Sequence, residues 1–189
     1  EFNSNQDNLK EIPFNYTRVY NKTFLLGTDK FGRDVLSRII VGSRISFYIG
    51  FVSVFISLVI GIFLGSLAGY YSGIIDTIIM WIINIVWSIP TLLLVIAISL
   101  AIGKGVWQVF LAVGLTMWVE VARLVRGQVK QYKERKFVIA AKVIGLSDMK
   151  IIFRHIIPNL TSSLIVISAT NFAASILIES GCLLYTSPS

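Results

Sequence analysis

Two long stretches without a charged residue constrain this chain more than any other feature. The first covers residues 45–75 and the second covers 77–103. A helix rises about 1.5 Å per residue, so about 20 apolar residues cross the hydrocarbon layer of a membrane. Both stretches exceed that length. They predict an all-α fold, built as a polytopic bundle of transmembrane helices.

Hydropathy and helix-breaking residues predict four transmembrane spans. The first three are expected near 45–69, 76–101 and 106–125, with Pro90 kinking the second. The fourth is expected near 160–179, where neutral polar residues alone interrupt the apolar run.

The composition agrees with a membrane environment and excludes several other classes. The chain is 55% hydrophobic and 14% charged, whereas soluble domains are about a quarter charged. A net charge of +7 could suggest nucleic acid, but the uncharged stretches argue against such a partner. The single cysteine, Cys182, cannot form a disulfide within the chain, and the single histidine, His155, offers no zinc site.

The basic residues collect in two segments. Nine lie within 123–154 and seven lie within 10–44. Segments rich in lysine and arginine usually face the cytoplasm, but three predicted spans separate these two and place them on opposite sides. We assign 123–154 to the cytoplasm, because only Glu134 and Asp148 oppose its nine cations.

Small residues repeat every four positions along the first predicted span. They are Ser53, Ser57, Gly61, Gly65 and Gly69. This spacing places them on one helix face, and small residues let helices approach closely in lipid. The face is expected to pack within the subunit or, alternatively, at a subunit interface.

The segment 137–158 has the pattern of two short amphipathic helices. Apolar residues follow the i, i+3, i+4, i+7 spacing in each half, namely Phe137, Ala140, Ala141 and Ile144, then Met149, Ile152, Phe153 and Ile156. These stripes could pack on the transmembrane bundle, lie in the lipid interface, or fill a groove on a partner. The residues alone leave the three alternatives open.

Capping and helix-breaking residues set the expected ends of these two helices. Gly145 is expected to end the first in a left-handed conformation. Ser147 is expected to cap the second, with Asp148 favourable in its first turn. Pro158 is expected to end the second helix, because proline disfavours a helical residue before it.

This segment resembles the EAA loop of ABC-importer permease subunits. The likeness rests on Ala140-Ala141-x-x-x-Gly145 followed by Pro158, and the run from Ser147 to Asn159 is similar to the dipeptide, oligopeptide and nickel branch. Further stretches resemble the same branch over about residues 24–181: Leu26-Gly27-Thr28-Asp29-Lys30-Phe31-Gly32-Arg33-Asp34, Ala122–Val129 and Glu179-Ser180-Gly181. The chain is most similar to the C-type permease of that branch.

The resemblance implies a permease of about six spans, with the middle four present here. Residues 1–44 would be an extracytoplasmic segment whose outer-face motif contains Gly27, Thr28, Asp29, Gly32, Arg33 and Asp34. Residues 45–181 would form a type-I transmembrane domain, with the EAA loop at 126–159. The chain begins Glu1-Phe2-Asn3, so it is expected to be an internal piece, and 182–189 is expected to be a non-native tail.

The resemblance also assigns a role to the loop. Ala140, Ala141 and Gly145 would shape it, and Ser147–His155 would be a coupling helix held in a cleft of a separate ATPase. The full set implied for this role is Ala140, Ala141, Gly145, Ser147, Asp148, Met149, Ile152, Phe153, His155 and Pro158. Ile139 stands where the motif has its glutamate, which removes a charge from the loop.

The resemblance also implies partners. A B-type permease would form a heterodimer with this chain, and two ATP-binding subunits and an extracytoplasmic solute-binding protein would join it. The assembly would lie in the lipid of a bacterial or archaeal cytoplasmic membrane.

No catalytic residue, metal or cofactor of its own is expected, because the chain lacks the Gly-x-x-x-x-Gly-Lys-Ser/Thr loop that binds ATP. The expected function is import of dipeptides or oligopeptides, or alternatively of nickel or another small solute. Candidate residues on the substrate path are Asn84, Ser88, Pro90 and Asn171.

An ion-coupled transporter or channel is the competing class. Such proteins commonly carry acidic or basic residues within their spans. The notable candidates here are Asn84, Glu120, Asn171 and Glu179, of which the two acids both lie near span ends. Glu120 is otherwise expected to pair with Arg123, one turn further along its helix.

Overall fold

The computed structural model describes residues 24–103 and 106–186, with side chains for 24–103 and 107–181. Every named element in these ranges is helical, which confirms the all-α prediction. Residues 1–23 of the predicted segment 1–44 lie outside the described part, as do 187–189 of the predicted tail. The chain divides into two compact units, Glu1–Val41 and Gly42–Ser189.

Seven α-helices follow one another in the described part. Their bounds are α1 Val35–Tyr71, α2 Gly73–Trp87, α3 Thr91–Ile102, α4 Val106–Lys133, α5 Lys136–Val143, α6 Asp148–Ile151 and α7 Thr161–Thr186. Between α6 and α7 the chain forms a π-helix at Ile152–Ile156 and a 3₁₀ helix at Ile157–Leu160. Three helical stretches are long and apolar enough to cross a membrane, and the bent pair α2–α3 makes a fourth.

Three glycines of α1 pack directly on the backbone of α4. A Cβ atom at any of the three would lie 2.5 to 2.9 Å from a carbonyl oxygen of α4, closer than such atoms can approach. The pairs are Gly61 with Trp118, Gly65 with Ala122, and Gly69 with Arg126. The small-residue face therefore packs within the subunit, which was the first of the two predicted alternatives.

The order of these contacts makes α1 and α4 parallel, since residue numbers rise together along both helices. The chain leaves α1 at Tyr71 and must return to the opposite end before α4 begins at Val106. The bent pair α2–α3 makes that return. It is therefore a broken span rather than a loop that comes back to the end it left.

The predicted second span over 76–101 bends at Pro90 as expected, but it consists of two separate helices rather than one kinked helix. α2 ends at Trp87, α3 begins at Thr91, and their axes differ by 92°. The Ser88 amide closes α2 by donating to the carbonyls of Asn84 and Ile85. Pro90 is extended, at φ −55° and ψ 126°, and it has no N–H with which to continue the helix.

Pro158 does not end a helix, contrary to expectation. Ile157, the residue before it, keeps helical angles of φ −56° and ψ −42°. The π-helix before the proline and the 3₁₀ helix around it change the hydrogen-bond pattern, so the missing N–H is accommodated. Helical backbone runs on from α6 into α7.

Replacing Gly65 with alanine should destabilise the bundle by roughly 1–3 kcal/mol, because the added methyl group meets the Ala122 carbonyl at 2.5 Å. Gly127→Ala is the matched control, since a Cβ on that α4 glycine meets nothing within 4 Å. Thermal unfolding of both variants in detergent measures the difference. Equal unfolding midpoints would contradict the packing described for α1 and α4.

Candidate coupling site

The turn after α5 is closed by Gly145. The residue has φ +85°, which confirms the predicted left-handed cap. Its amide donates to the Lys142 carbonyl at 3.0 Å, and the Leu146 amide donates to the Ala141 carbonyl at 3.2 Å. These two bonds form a Schellman motif, which explains why a glycine is suited to this position.

Ser147 precedes α6 with extended backbone angles, but its side chain makes no capping hydrogen bond. The prediction of a serine side-chain cap is therefore wrong. Asp148 does lie in the first turn of α6, as expected. Its carboxylate accepts a hydrogen bond from the Tyr70 hydroxyl at 2.7 Å.

One side of the coupling segment 136–160 is buried against the transmembrane bundle. The buried cluster takes Val138 and Ala141 from α5, and Ile151, Ile152, Ile156 and Leu160 from the segment that follows. The bundle contributes Val121, Val125 and Val129 of α4 and Tyr70 of α1. The segment is therefore fixed to the bundle by apolar packing over both halves.

The predicted apolar stripes match this buried side only in part. Ala141, Ile152 and Ile156 point inward, but α5 is rotated so that Val138 is buried with Ala141. The other members of both stripes are exposed, namely Phe137, Ala140, Ile144, Met149 and Phe153. A spacing of i, i+3, i+4, i+7 identifies a face but cannot say which of two adjoining apolar faces meets the bundle.

The segment also carries exposed apolar side chains, and Val143, Ile144, Met149 and Phe153 are together named its apolar surface. Val143 is 83% exposed and Ile144 is 79% exposed. Exposed cations interrupt this surface in sequence at Lys142, Lys150 and Arg154. Of the remaining predicted residues, Pro158 is exposed, and the half-buried His155 accepts a hydrogen bond from Asn159 through its carbonyl.

Tyr70, the second-last residue of α1, is a central residue of this site that sequence reasoning missed. It is 3% exposed within the buried cluster. Besides the bond to Asp148, its carbonyl accepts a hydrogen bond from the Lys133 ammonium at 2.6 Å. The sequence showed only a Gly-Tyr-Tyr-Ser-Gly break here, and nothing in it pairs Tyr70 with a residue 78 positions away.

An ion-paired cluster holds the start of α2 against α4. Arg126 donates to both carboxylate oxygens of Asp76, with a distance of 2.8 Å for its Nη2. Lys130 adds a third contact to the same carboxylate at 3.1 Å. A bidentate arginine pair fixes geometry more firmly than a single contact. Sequence reasoning missed this cluster as well, because it joins residues from two different spans.

In the first unit, the predicted outer-face motif forms a compact turn. Gly27 and Gly32 both have φ +72°. Asp29 accepts hydrogen bonds from the Phe31 and Arg33 amides and pairs with Arg38 at 2.6 Å. The backbone N–H of Arg33 contributes most to lowering the pKa of the Asp29 carboxyl.

The rest of the motif leads into α1. Thr28 pairs with Asp34 through an antiparallel bridge. The Asp34 carboxylate accepts hydrogen bonds from the Leu36 amide and the Ser37 hydroxyl, so it caps the helix. Arg33 lies over the Phe31 ring at 5.4 Å. The local bonds of this motif thus account for its glycines and acids as turn-forming residues.

Three of the four substrate-path candidates lie at the break between α2 and α3. Asn84, Ser88 and Pro90 are exposed there. The Asn84 side chain accepts a hydrogen bond from Arg123 at 2.9 Å, and the Arg123 guanidinium stacks 3.7 Å from the centre of the Trp87 ring. Arg123 therefore holds α2 to α4, and the predicted pair with Glu120 is not among the ion pairs of the described residues.

Asn171, the fourth candidate, is buried on α7 instead. It shares a helix face with Ser175 and Glu179, which are also buried. The Nδ2 of Asn171 and one carboxylate oxygen of Glu179 make no hydrogen bond with the described residues. The polar face of α7 is buried within the subunit, whereas the α2–α3 break is exposed. Asn171 therefore does not share a surface with the other three candidates.

Residues 61–188 match the family described as the binding-protein-dependent transport system inner membrane component. The chain belongs to this family. The family description and the long apolar helices support a multi-pass inner-membrane protein.

Several curated proteins of known transport systems are similar to this family member. It is 37% identical to the oligopeptide transport system permease protein of Bacillus subtilis, over 84% of this chain and 52% of that protein. It is 40% identical to the dipeptide transport system permease protein of the same organism, over 82% of this chain and 48% of that protein. It is 40% identical to the glutathione transport system permease protein of Escherichia coli O1:K1, over 87% of this chain and 55% of that protein. The chain spans about half the length of these relatives.

Gly145→Val should distort the turn after α5, because a β-branched residue at φ +85° costs on the order of 1–3 kcal/mol. We expect weaker capture of the ATPase that the sequence resemblance implies as a partner, measured by pull-down from detergent-solubilised membranes, with membrane insertion retained. Gly145→Asn is the control, since asparagine tolerates the left-handed conformation better than valine. Equal capture by the valine variant and the unsubstituted chain would count against this account of the turn.

Proposed function

We propose that this chain is a membrane-spanning permease subunit of an ATP-driven importer of dipeptides or oligopeptides. One observation carries the proposal. The coupling segment is fixed to the bundle on one side, while the exposed Val143, Ile144, Met149 and Phe153 make up its apolar surface. A segment arranged in this way can receive a partner's motion and pass it to the spans.

The partner proposed for this apolar surface is the ATPase, and the chain itself hydrolyses no ATP. Exposed apolar side chains on a short helical segment suit an apolar groove in a partner. The exposed Lys142, Lys150 and Arg154 favour a groove with acidic residues at its rim. Nucleotide-driven closure of the ATPase pair would move the segment and shift the spans between two packings.

The remaining partners follow from the proposed transport cycle. A B-type permease would complete the path as a heterodimer, and two ATP-binding subunits would drive it. An extracytoplasmic solute-binding protein would deliver the solute, and the coupling segment would face the cytoplasm of a bacterial or archaeal cell. Membership of the binding-protein-dependent family supports this assembly.

A peptide is the solute best supported for this chain. The relatives are named for oligopeptides, dipeptides and glutathione, and all three solute classes are built from amino acids. The path proposed here includes the α2–α3 break, where irregular backbone is exposed at Ser88 and Pro90. Such backbone is stable within a membrane where it lines an aqueous cavity or is covered by protein.

Uptake by the complete complex in proteoliposomes should depend on ATP and not on an ion gradient. Removing ATP while an ion gradient persists should abolish peptide uptake. Collapsing the gradient with an ionophore while ATP is present should leave uptake unchanged. Continued uptake without ATP would instead establish an ion-coupled transporter.

Phe153→Ala should weaken capture of the ATPase by roughly tenfold, because it removes a large apolar side chain proposed to fill the partner's groove. Phe137→Ala is the matched control. Both rings are about half exposed, but Phe137 rests against Tyr132 of α4 and lies outside the apolar surface. Equal dissociation constants for the two variants would contradict docking of the apolar surface on the ATPase.

A further inference from the structure

We propose that Tyr70 is a positioning residue that transmits movement of the coupling segment to the turn between α1 and α2. The inference rests on the proposed function, because it assumes that a partner moves the segment. Tyr70 touches neither ATP nor solute in this scheme. It acts through the Asp148 carboxylate and through the helices packed around its ring.

The contacts of Tyr70 join three parts of the structure at one residue. Its hydroxyl donates to Asp148 at the start of α6, at 2.7 Å. Its carbonyl accepts from Lys133 at the end of α4, and the same ammonium lies 5.4 Å from the centre of the ring. The ring itself is buried among the α4 valines and the isoleucines of the coupling segment.

The bond to Asp148 differs from the other contacts that hold the segment. The others are apolar packing and a hydrogen bond between neutral groups, from the Tyr132 hydroxyl to the Asn159 carbonyl at 3.2 Å. A hydrogen bond to a carboxylate is directional and stronger than a neutral one, so it follows the movement of its partner. Asp148 is the residue with which α6 begins, and it lies in the chain between Ile144 and Met149 of the exposed apolar surface.

The α1–α2 turn is pinned on both of its sides. Tyr70 holds it from α1, and Asp76 holds it from α2 through Arg126 and Lys130. Between them, Ser72 and Gly73 both have positive φ, at 55° and 64°. A non-glycine residue in that region is held there by its surroundings, so the turn is defined by these contacts rather than free to adapt.

The path continues from this turn to the break in the second span. α2 runs from Gly73 to Trp87 and ends at the exposed residues Ser88 to Pro90. A displacement of Asp148 would therefore shift the start of α2 through Tyr70, and α2 would carry it to the break. This order of contacts gives a physical connection from the docking surface to the proposed solute path.

The test compares solute transported per ATP hydrolysed in proteoliposomes holding the complete complex. Tyr70→Phe removes the hydroxyl and keeps the buried ring. We expect ATP hydrolysis to persist while transport per ATP falls roughly tenfold, as for loss of a charge-assisted hydrogen bond. Tyr71→Phe is the matched control, because its ring is 40% exposed and forms no bond to Asp148; it should leave the ratio unchanged.

Asp148→Ala removes the acceptor of the same bond, so it tests the bond from the other side, including the case in which Tyr70→Phe fails to assemble. We expect a similar fall in the ratio, and the double variant should be no worse than either single one, since both remove one interaction. An unchanged ratio in either single variant, or effects that multiply in the double variant, would overturn the proposal. If the unsubstituted complex shows no ATP-dependent uptake, the proposed function itself fails and this inference fails with it.

Discussion

The close approach of α1 and α4 is the contact on which the rest of the structure depends. Without side chains at Gly61, Gly65 and Gly69, α1 rests on backbone carbonyls of α4 over about two turns. In lipid, apolar side chains gain little by leaving the solvent, so packing of this kind supplies much of the attraction between helices. The contact also makes the two helices parallel, and it brings Tyr70, directly after the last glycine, to the charged end of α4.

Parallel packing of α1 and α4 forces the intervening chain to cross the membrane, and here it does so as two short helices at 92°. α2 is held along α4 at both ends, by the Asp76 ion pairs and by the Arg123 contacts with Asn84 and Trp87. These polar contacts fix the position of α2 along α4. Because α2 is held at both ends, the position of the α2–α3 break relative to the turn after Tyr71 is fixed.

The sequence predicted the features that arise from local chemistry. Uncharged runs gave the helical spans, and the glycine at 145 gave the end of α5, because both depend on residues close together in the chain. The inward face of α5, the continuation through Pro158 and the bond from Tyr70 to Asp148 depend on distant neighbours. Amphipathic spacing does not say which partner a face meets, and a proline can be accommodated where the helix type changes around it. Those features could be found only once the helices were placed.

Ile139 occupies the position of the glutamate in the EAA motif that this segment resembles, and the packing of the segment does not need a charge there. The side chain is 52% exposed, whereas its neighbour Val138 is buried against the bundle. α5 is thus held by Val138 and Ala141, and a charge at position 139 would take no part in that packing. An exposed isoleucine instead adds apolar area to the outer side of the coupling segment. Docking of a partner here would draw on apolar burial at position 139, and the salt dependence of its affinity would come from the exposed Lys142, Lys150 and Arg154 instead.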